Sequence, residues 1–539
     1  MVRDDAPWLP PRPRAGRRAD APRPGVPVPD AALSDARLSD ARRVSPAPSP
    51  AAPPEEAPRR RRRTPASSSS RLRTAYLALA AATAVVLVVG VAVVPRYGSG
   101  GTAPGTPSAD ELRRLPTDAA WTLDLAGLLA PDVPPGCVHV WPSVAVDGLV
   151  AVGTSVDLET DDAASSPGCR RAAVSGNTSR VALVEAATGR VRWVHDLAGD
   201  VPDADALAIP ATQVVPAAGR VLVQVQTSGG AAQVALGLGG GESLEVARGR
   251  RDLPAVSVAA VGRLQLRAVG GTDDASRRFS LVDAGDLTSP IWQGRADVGT
   301  TPLLLTSGVV VEADGRSSFV DGTTGLARPL ERGRGTTVET AATGPSGDES
   351  LYVVERAGRD RPTVSAVDPL GDRRWTTAAE AGSLAVTDRC VLALAPDASS
   401  VTCLDRGDGG ALWSRDLGGP ARVVAVPGQS RDDVWVVAQR DDGPELAALD
   451  AADGSRRVAL PLGPSDDVVA ASRTVVYVET EDSGTRPDAV TAYDASGGRR
   501  LWTSTSAGRV SFWGGALVVV DDTAAATRLV DRTRVGSTS

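Results

Sequence analysis

Glu185-Ala-Ala-Thr-Gly-Arg-Val-Arg-Trp193 is the stretch that decides the fold, because it recurs. Asp405 to Trp413 repeats it, with Gly409 four residues after the acid and Trp413 eight after. Asp494, Gly498 and Trp502 keep the same spacing, and Asp368, Gly371 and Trp375 a shortened one. Partial copies stand at Asp283/Trp292, Asp321/Gly325 and Asp450/Gly454. Self-similarity at a spacing of roughly 37 to 52 residues is the mark of a propeller or an array.

Each copy reads as a hairpin. An alternating apolar strand ends at the acid, as in Val181-Ala-Leu-Val184, Val401-Thr-Cys-Leu404 and Val490-Thr-Ala-Tyr493. The Gly supplies the positive φ that a tight reversal needs. The next strand carries the Trp, whose constant offset suits packing on a neighbouring blade. Working outward gives an all-β chain of four-stranded blades. Quartets end near Trp193, Val246, Trp292, Pro329, Trp375, Trp413, Val458 and Trp502. The first quartet is read as Ser143–Val146, Leu149–Val156, Arg180–Val184 and Val191–Leu197. Three strands follow Trp502, and Trp121-Thr-Leu-Asp-Leu125 resembles a final strand that could complete them. Eight full units and a split one exceed the usual four to eight blades. The expectation is therefore eight, with one unit between Leu197 and Leu330 misread.

The repeats resemble the PQQ-like propeller family over roughly residues 121–535. That resemblance implies a β-propeller. It leaves two functional classes open, quinoprotein alcohol dehydrogenases and cofactor-free propellers such as the scaffold lipoprotein of outer-membrane protein assembly. The dehydrogenases use adjacent cysteines, a calcium held by Glu, Asn and Asp, and a catalytic Asp. Here no two Cys are adjacent and the sole Asn is Asn177. No position matches those residues, so no cofactor and no catalytic residue is expected.

Ahead of the repeats lie three distinct segments. Residues 1–73 hold 16 Arg against 8 acids and little apolar material, which predicts a disordered tail. Pro10-Pro11-Arg12-Pro13-Arg14 fits a polyproline groove on a cytoplasmic partner, although a solvated spacer is the simpler reading. Thr74 to Pro95 is uncharged and long enough to cross a bilayer. The five-Arg run Arg59–Arg63 precedes it, so the positive-inside rule places the tail in the cytoplasm and the body outside. The segment predicts a signal anchor: it is longer than a signal-peptide core and no A-x-A site follows. Residues 96–120 read as a flexible linker, with a short capped helix at Ser108–Leu115.

The rest of the chain holds 42 Arg against 57 acids, and an acidic body argues against nucleic-acid binding by the folded part. No Lys occurs anywhere, a compositional bias that says little about function. All four Cys lie in the body, the presumed oxidising side. Cys390 and Cys403 fall on successive strands of one hairpin and suit each other, which leaves Cys137 for Cys169. Acid–base chemistry is sparsely supplied. The two His, His139 and His195, have no Cys or His partners at metal-site spacing. Acid pairs at Asp161/Asp162, Asp432/Asp433, Asp441/Asp442 and Asp466/Asp467 read as solvated turn residues. The insertions Leu158–Ser179 and Ala198–Pro210 are the loops expected to carry contacts. The expected function is a single-pass membrane protein presenting a propeller to an envelope protein partner. A divergent quinoprotein oxidoreductase and a ligand sensor signalling through the helix are the alternatives.

Overall fold

A computed structural model describes residues 109–530 apart from short segments, the longest being 157–167, 171–178 and 481–488. The tail, the apolar segment 74–95 and most of the linker lie outside the described residues. Among the described residues no helix is long and apolar enough to cross a membrane.

Alternating apolar residues produce the strands, and glycine- and acid-rich turns end them. Among the described residues the strands make nine four-stranded antiparallel sheets, where the sequence led us to expect eight. Blades 1 to 8 are continuous in sequence, spanning 138–196, 207–248, 255–297, 303–329, 336–378, 383–416, 421–461 and 466–505. Blade 9 is split. Gly508–Trp513, Ala516–Asp521 and Ala525–Val530 are joined by Asp118–Asp124, with Thr122 opposite Thr527. No unit between Leu197 and Leu330 was misread. The quartet there that seemed surplus is a real blade, because nine buried junctions need nine sheets.

Burial follows position in the blade. Middle strands are covered on both faces: Cys390–Leu394 and Val181–Val184 are buried throughout. In blades 1, 5, 6 and 8 the last strand buries one side chain, a Trp. In Ala411–Asp416 only Trp413 is inside, and in Arg373–Ala378 only Trp375. One apolar cluster fills each of the nine junctions, and the cluster around Leu125, Val184, Trp513 and Val518 closes blade 9 on blade 1. First strands of several successive blades approach one another, so they form the inner edge of the ring.

Three local readings need correction. The first strand of blade 1 is Val138–Pro142; beyond it the chain keeps a hydrogen bond from the Ser143 N–H to the Ala151 carbonyl and a bridge from Val146 to Leu149. The Ala198–Pro210 insertion is shorter than expected, because Leu207–Val215 is already a strand. Residues 109–115 form no helix. They run as an extended strap whose Ala109 and Leu112 are buried against Tyr477, Trp502, Val510 and Leu517 of blades 8 and 9. Tertiary burial of Leu112 outweighs a weak capping signal. The short helix in this region is instead Leu125–Leu129, whose N-terminus is capped by Asp124 accepting from the Gly127 N–H at 2.8 Å.

Candidate functional site

The repeat residues come together at the blade junctions. Between the third and fourth strands the chain reverses through a turn in which the Gly N–H donates to the carbonyl of the acid four residues back. This happens at Gly189/Glu185 (2.8 Å), Gly409/Asp405 (2.9 Å), Gly454/Asp450 (2.8 Å) and Gly498/Asp494 (2.8 Å). Each of these glycines has φ between 68° and 76°. The acid side chain stabilises the same turn by accepting backbone N–H groups. Asp405 accepts from Gly407, Asp450 from Ala452 and Asp494 from Ser496.

In three of these turns the indole of the preceding blade lies on the glycine, while Gly498 meets Ala459 and Leu460 of blade 7, whose last strand has no Trp. A Cβ at Gly189 would stand 2.6 Å from Trp121, one at Gly409 2.5 Å from Trp375, and one at Gly454 2.6 Å from Trp413. The indole N–H then donates to a carbonyl in the turn. Trp121 reaches Ala186 (3.2 Å), Trp375 reaches Arg406 (2.8 Å) and Trp413 reaches Ala451 (3.0 Å). Trp193 does the same on blade 2, stacking on Gly241 and bonding Leu238 at 3.2 Å. Gly241 escaped the sequence reading because Gly237 stands where the other repeats have an acid. Gly371 has open space around its Cβ position, since blade 4 carries no Trp to lie on it.

Trp502 departs from this rule. In blade 9 the third strand, Ala525–Val530, and the fourth, Asp118–Asp124, come from opposite ends of the described chain, so no glycine turn joins them. Trp502 donates instead to the carbonyl of Leu112 in the strap, at 2.6 Å. The strap is held on several sides. The Leu112 N–H donates to the Tyr477 hydroxyl at 2.8 Å, that hydroxyl donates to the Asp110 carbonyl, Arg528 pairs with Asp110 at 2.9 Å, and Arg113 pairs with Asp494. Burial pushes the Tyr477 hydroxyl up from its ordinary range.

Charge tunes two of the turn acids. Hydrogen bonds from Arg190 and then Arg192 hold Glu185 down at about 2. Asp494 is also near 2, through Ser496 first and Arg113 after it. Neither sits in a cleft with a base or nucleophile. Their shifted state serves the turn and the ion pair, as structural networks also do.

The cysteines form two bridges, Cys137–Cys169 and Cys390–Cys403, with Cα separations of 5.3 and 5.6 Å. The first ties the residue 168–170 turn to the entry of blade 1. The second joins the middle strands of blade 6. His195 bonds Asp200 at 2.7 Å on the edge of blade 1. His139 stacks on Trp141, with ring centroids 4.1 Å apart, and meets Arg509 at 3.2 Å where the first strands of blades 1 and 9 adjoin. Asp433 is not a solvated turn acid: it is 1% exposed and paired with Arg457. Asp466 caps its own turn by accepting from the Gly463 N–H and the Thr480 hydroxyl. Asn177, Asp161, Asp162 and Asp432 lie outside the described residues. Among the described residues no group of three or more His, Cys, Asp or Glu is placed to hold a metal ion.

The fold and the docked repeats make this a PQQ-like β-propeller. Residues 360–457, from blade 5 into blade 7, match the profile of the family described as outer membrane protein assembly factor BamB. No curated protein matches the chain. Similar solved structures include BamB from Moraxella catarrhalis, at 13% identity, 72% of this chain, 83% of that chain and a TM-score of 0.26. A quinohemoprotein alcohol dehydrogenase from Pseudomonas putida HK5 gives 12%, 77%, 73% and 0.36. Another from Comamonas testosteroni gives 12%, 75%, 74% and 0.31.

Proposed function

We propose that this chain is a membrane-anchored scaffold that presents its propeller outside the cytoplasm to an envelope protein. The observation that carries the reading is the match of residues 360–457 to the assembly-factor family, on a propeller whose repeat residues are spent on joining blades. Three features support it. Residues 74–95 are long and apolar enough to span a bilayer, and Arg59–Arg63 precede them. All four cysteines are in bridges, which persist in oxidising compartments. The strap fixes the chain to blades 8 and 9 from residue 109, so only 13 residues separate it from the apolar segment. Fully extended, they reach at most about 45 Å. The propeller in this reading stays close to the membrane surface, and its loops supply the contacts.

Crosslinking and affinity capture from native membranes test this, comparing the full chain with one lacking residues 1–58. A stable envelope partner retained by both forms is the expected result. A partner lost with the tail moves the function to the cytoplasmic side, and capture of none by either form removes the scaffold reading.

A further inference from the structure

The junction between blades 2 and 3 differs from its neighbours. The last strand of blade 2, Ser243–Arg248, carries no Trp, and its apolar cluster holds only six buried residues, among them Leu222, Ala235, Val282 and Ala284. Strand alternation then fixes what else faces this junction. Gln224 is two residues from Leu222, Gln233 two from Ala235, and Gln265 stands opposite Val282 with Arg267 two further on. The result is a polar layer in the middle of an apolar ring. Gln224, Gln233, Gln265 and Arg267 are 4%, 3%, 0% and 6% exposed.

Arg267 carries the one charge in this layer that no carboxylate meets. Its Nε donates to Gln265 at 3.1 Å and its Nη1 to the Leu287 carbonyl at 2.8 Å. Its Nη2 is buried and has no partner. The nearest acid on this face, Glu245, is already paired with Arg220 at 2.8 Å and accepts the Thr288 N–H at 2.9 Å. Arg220, Glu245 and Arg267 thus leave one positive charge over. Burial lowers Arg267 to about 10, partly opposed by Glu245, so it remains a cation at neutral pH. A buried cation without a counterion is costly, and so is an unused guanidinium N–H. Gln233 has the matching defect: its Oε1 is buried and unpartnered.

We propose that the blade 2–3 junction binds a small monovalent anion of the halide class, held by Arg267 Nη2 and the carboxamide of Gln233. The oxygen and nitrogen of a Gln amide have nearly the same shape. Turned over, Gln233 offers an N–H to the anion and leaves no buried oxygen orphaned. Charge and hydrogen bonding then close together at a junction where no Trp docks and the apolar cluster is the smallest of the nine. The site does not depend on the scaffold reading.

The test is thermal unfolding of the full chain in detergent at fixed ionic strength, replacing gluconate by chloride or bromide. The expected result is a saturable rise of several degrees, as ligand linkage requires. Arg267→Met abolishes the halide dependence. Gln233→Met weakens it while keeping the charge, and serves where Arg267→Met does not fold. Crystals in bromide add a direct readout, an anomalous peak in contact with Nη2. Two outcomes overturn the proposal. One is no halide dependence with anomalously silent density at that place, which is a bridging water. The other is a bromide peak without a saturable shift, which is binding at crystal concentration only.

Discussion

Replacing Gly454 with Ala tests the docking geometry at a place where the cost can be worked out. The residue has φ 70°, and its new Cβ would lie 2.6 Å from the Trp413 ring. Two penalties follow. The left-handed backbone costs a non-Gly residue about 1–2 kcal/mol. The collision must be relieved by moving a nearly buried indole in a packed junction, about 1–3 kcal/mol more. Movement also threatens the Trp413–Ala451 hydrogen bond, worth about 1 kcal/mol. Gly454→Ala therefore destabilises by roughly 3–5 kcal/mol. Gly371→Ala is the control: its φ is 92° but nothing lies within 4 Å of the new Cβ, so only the backbone penalty of about 1–2 kcal/mol applies. The decisive assay is a double-mutant cycle by denaturant unfolding. Trp413→Leu removes the ring, and in that background Gly454→Ala costs no more than Gly371→Ala. The coupling is about 2 kcal/mol. Additive effects, or equal costs for Gly454→Ala and Gly371→Ala in the intact protein, would refute the account of the glycine as a seat for the indole.

The remaining predictions concern the strap, a bridge and pH. Leu112→Ala removes buried apolar volume at the 8–9 junction and costs about 2–4 kcal/mol, read as faster proteolysis or amide exchange at residues 109–115. Unchanged exchange there would mean that the strap is not held by this side chain. Replacing Cys390 and Cys403 together with Ala opens a loop with a sequence separation of 13 residues and lowers stability by about 2–4 kcal/mol, seen as a lower midpoint in urea. Glu185 and Asp494 are depressed to about 2, so their stabilisation is complete above the ordinary carboxylate range and is lost as pH falls through about 4 towards 2. Glu185→Gln lowers stability at neutral pH and flattens that acid limb, so that the two proteins converge towards pH 2, and an unaltered acid limb would count against the Arg190–Glu185 pairing.

How much was legible can be judged from particular residues. The hairpin at 181–193 was readable because its period, its turn glycine and its acid are local requirements of backbone and strand. The strand at Trp121 was readable because it copies the sequence of other final strands. The strap was not readable. Ala109-Asp-Glu-Leu-Arg113 has an ordinary linker composition, and only the contact with Tyr477 and Trp502 gives it a structure. That Trp502 would find the strap in place of a turn follows only from the pairing of Ala525–Val530 with Asp118–Asp124.

The sequence by itself determined the all-β class, the four-strand repeat, the turn positions and the split final blade. These follow from period-two burial and from the φ that only glycine adopts cheaply, both set within a dozen residues. The tertiary structure decided the count of nine, the destination of each indole, the ordering of the strap and the charge left over at Arg267. Each of those depends on which surfaces meet across a junction, and residues 31 to 390 apart in the chain meet there only once the ring closes.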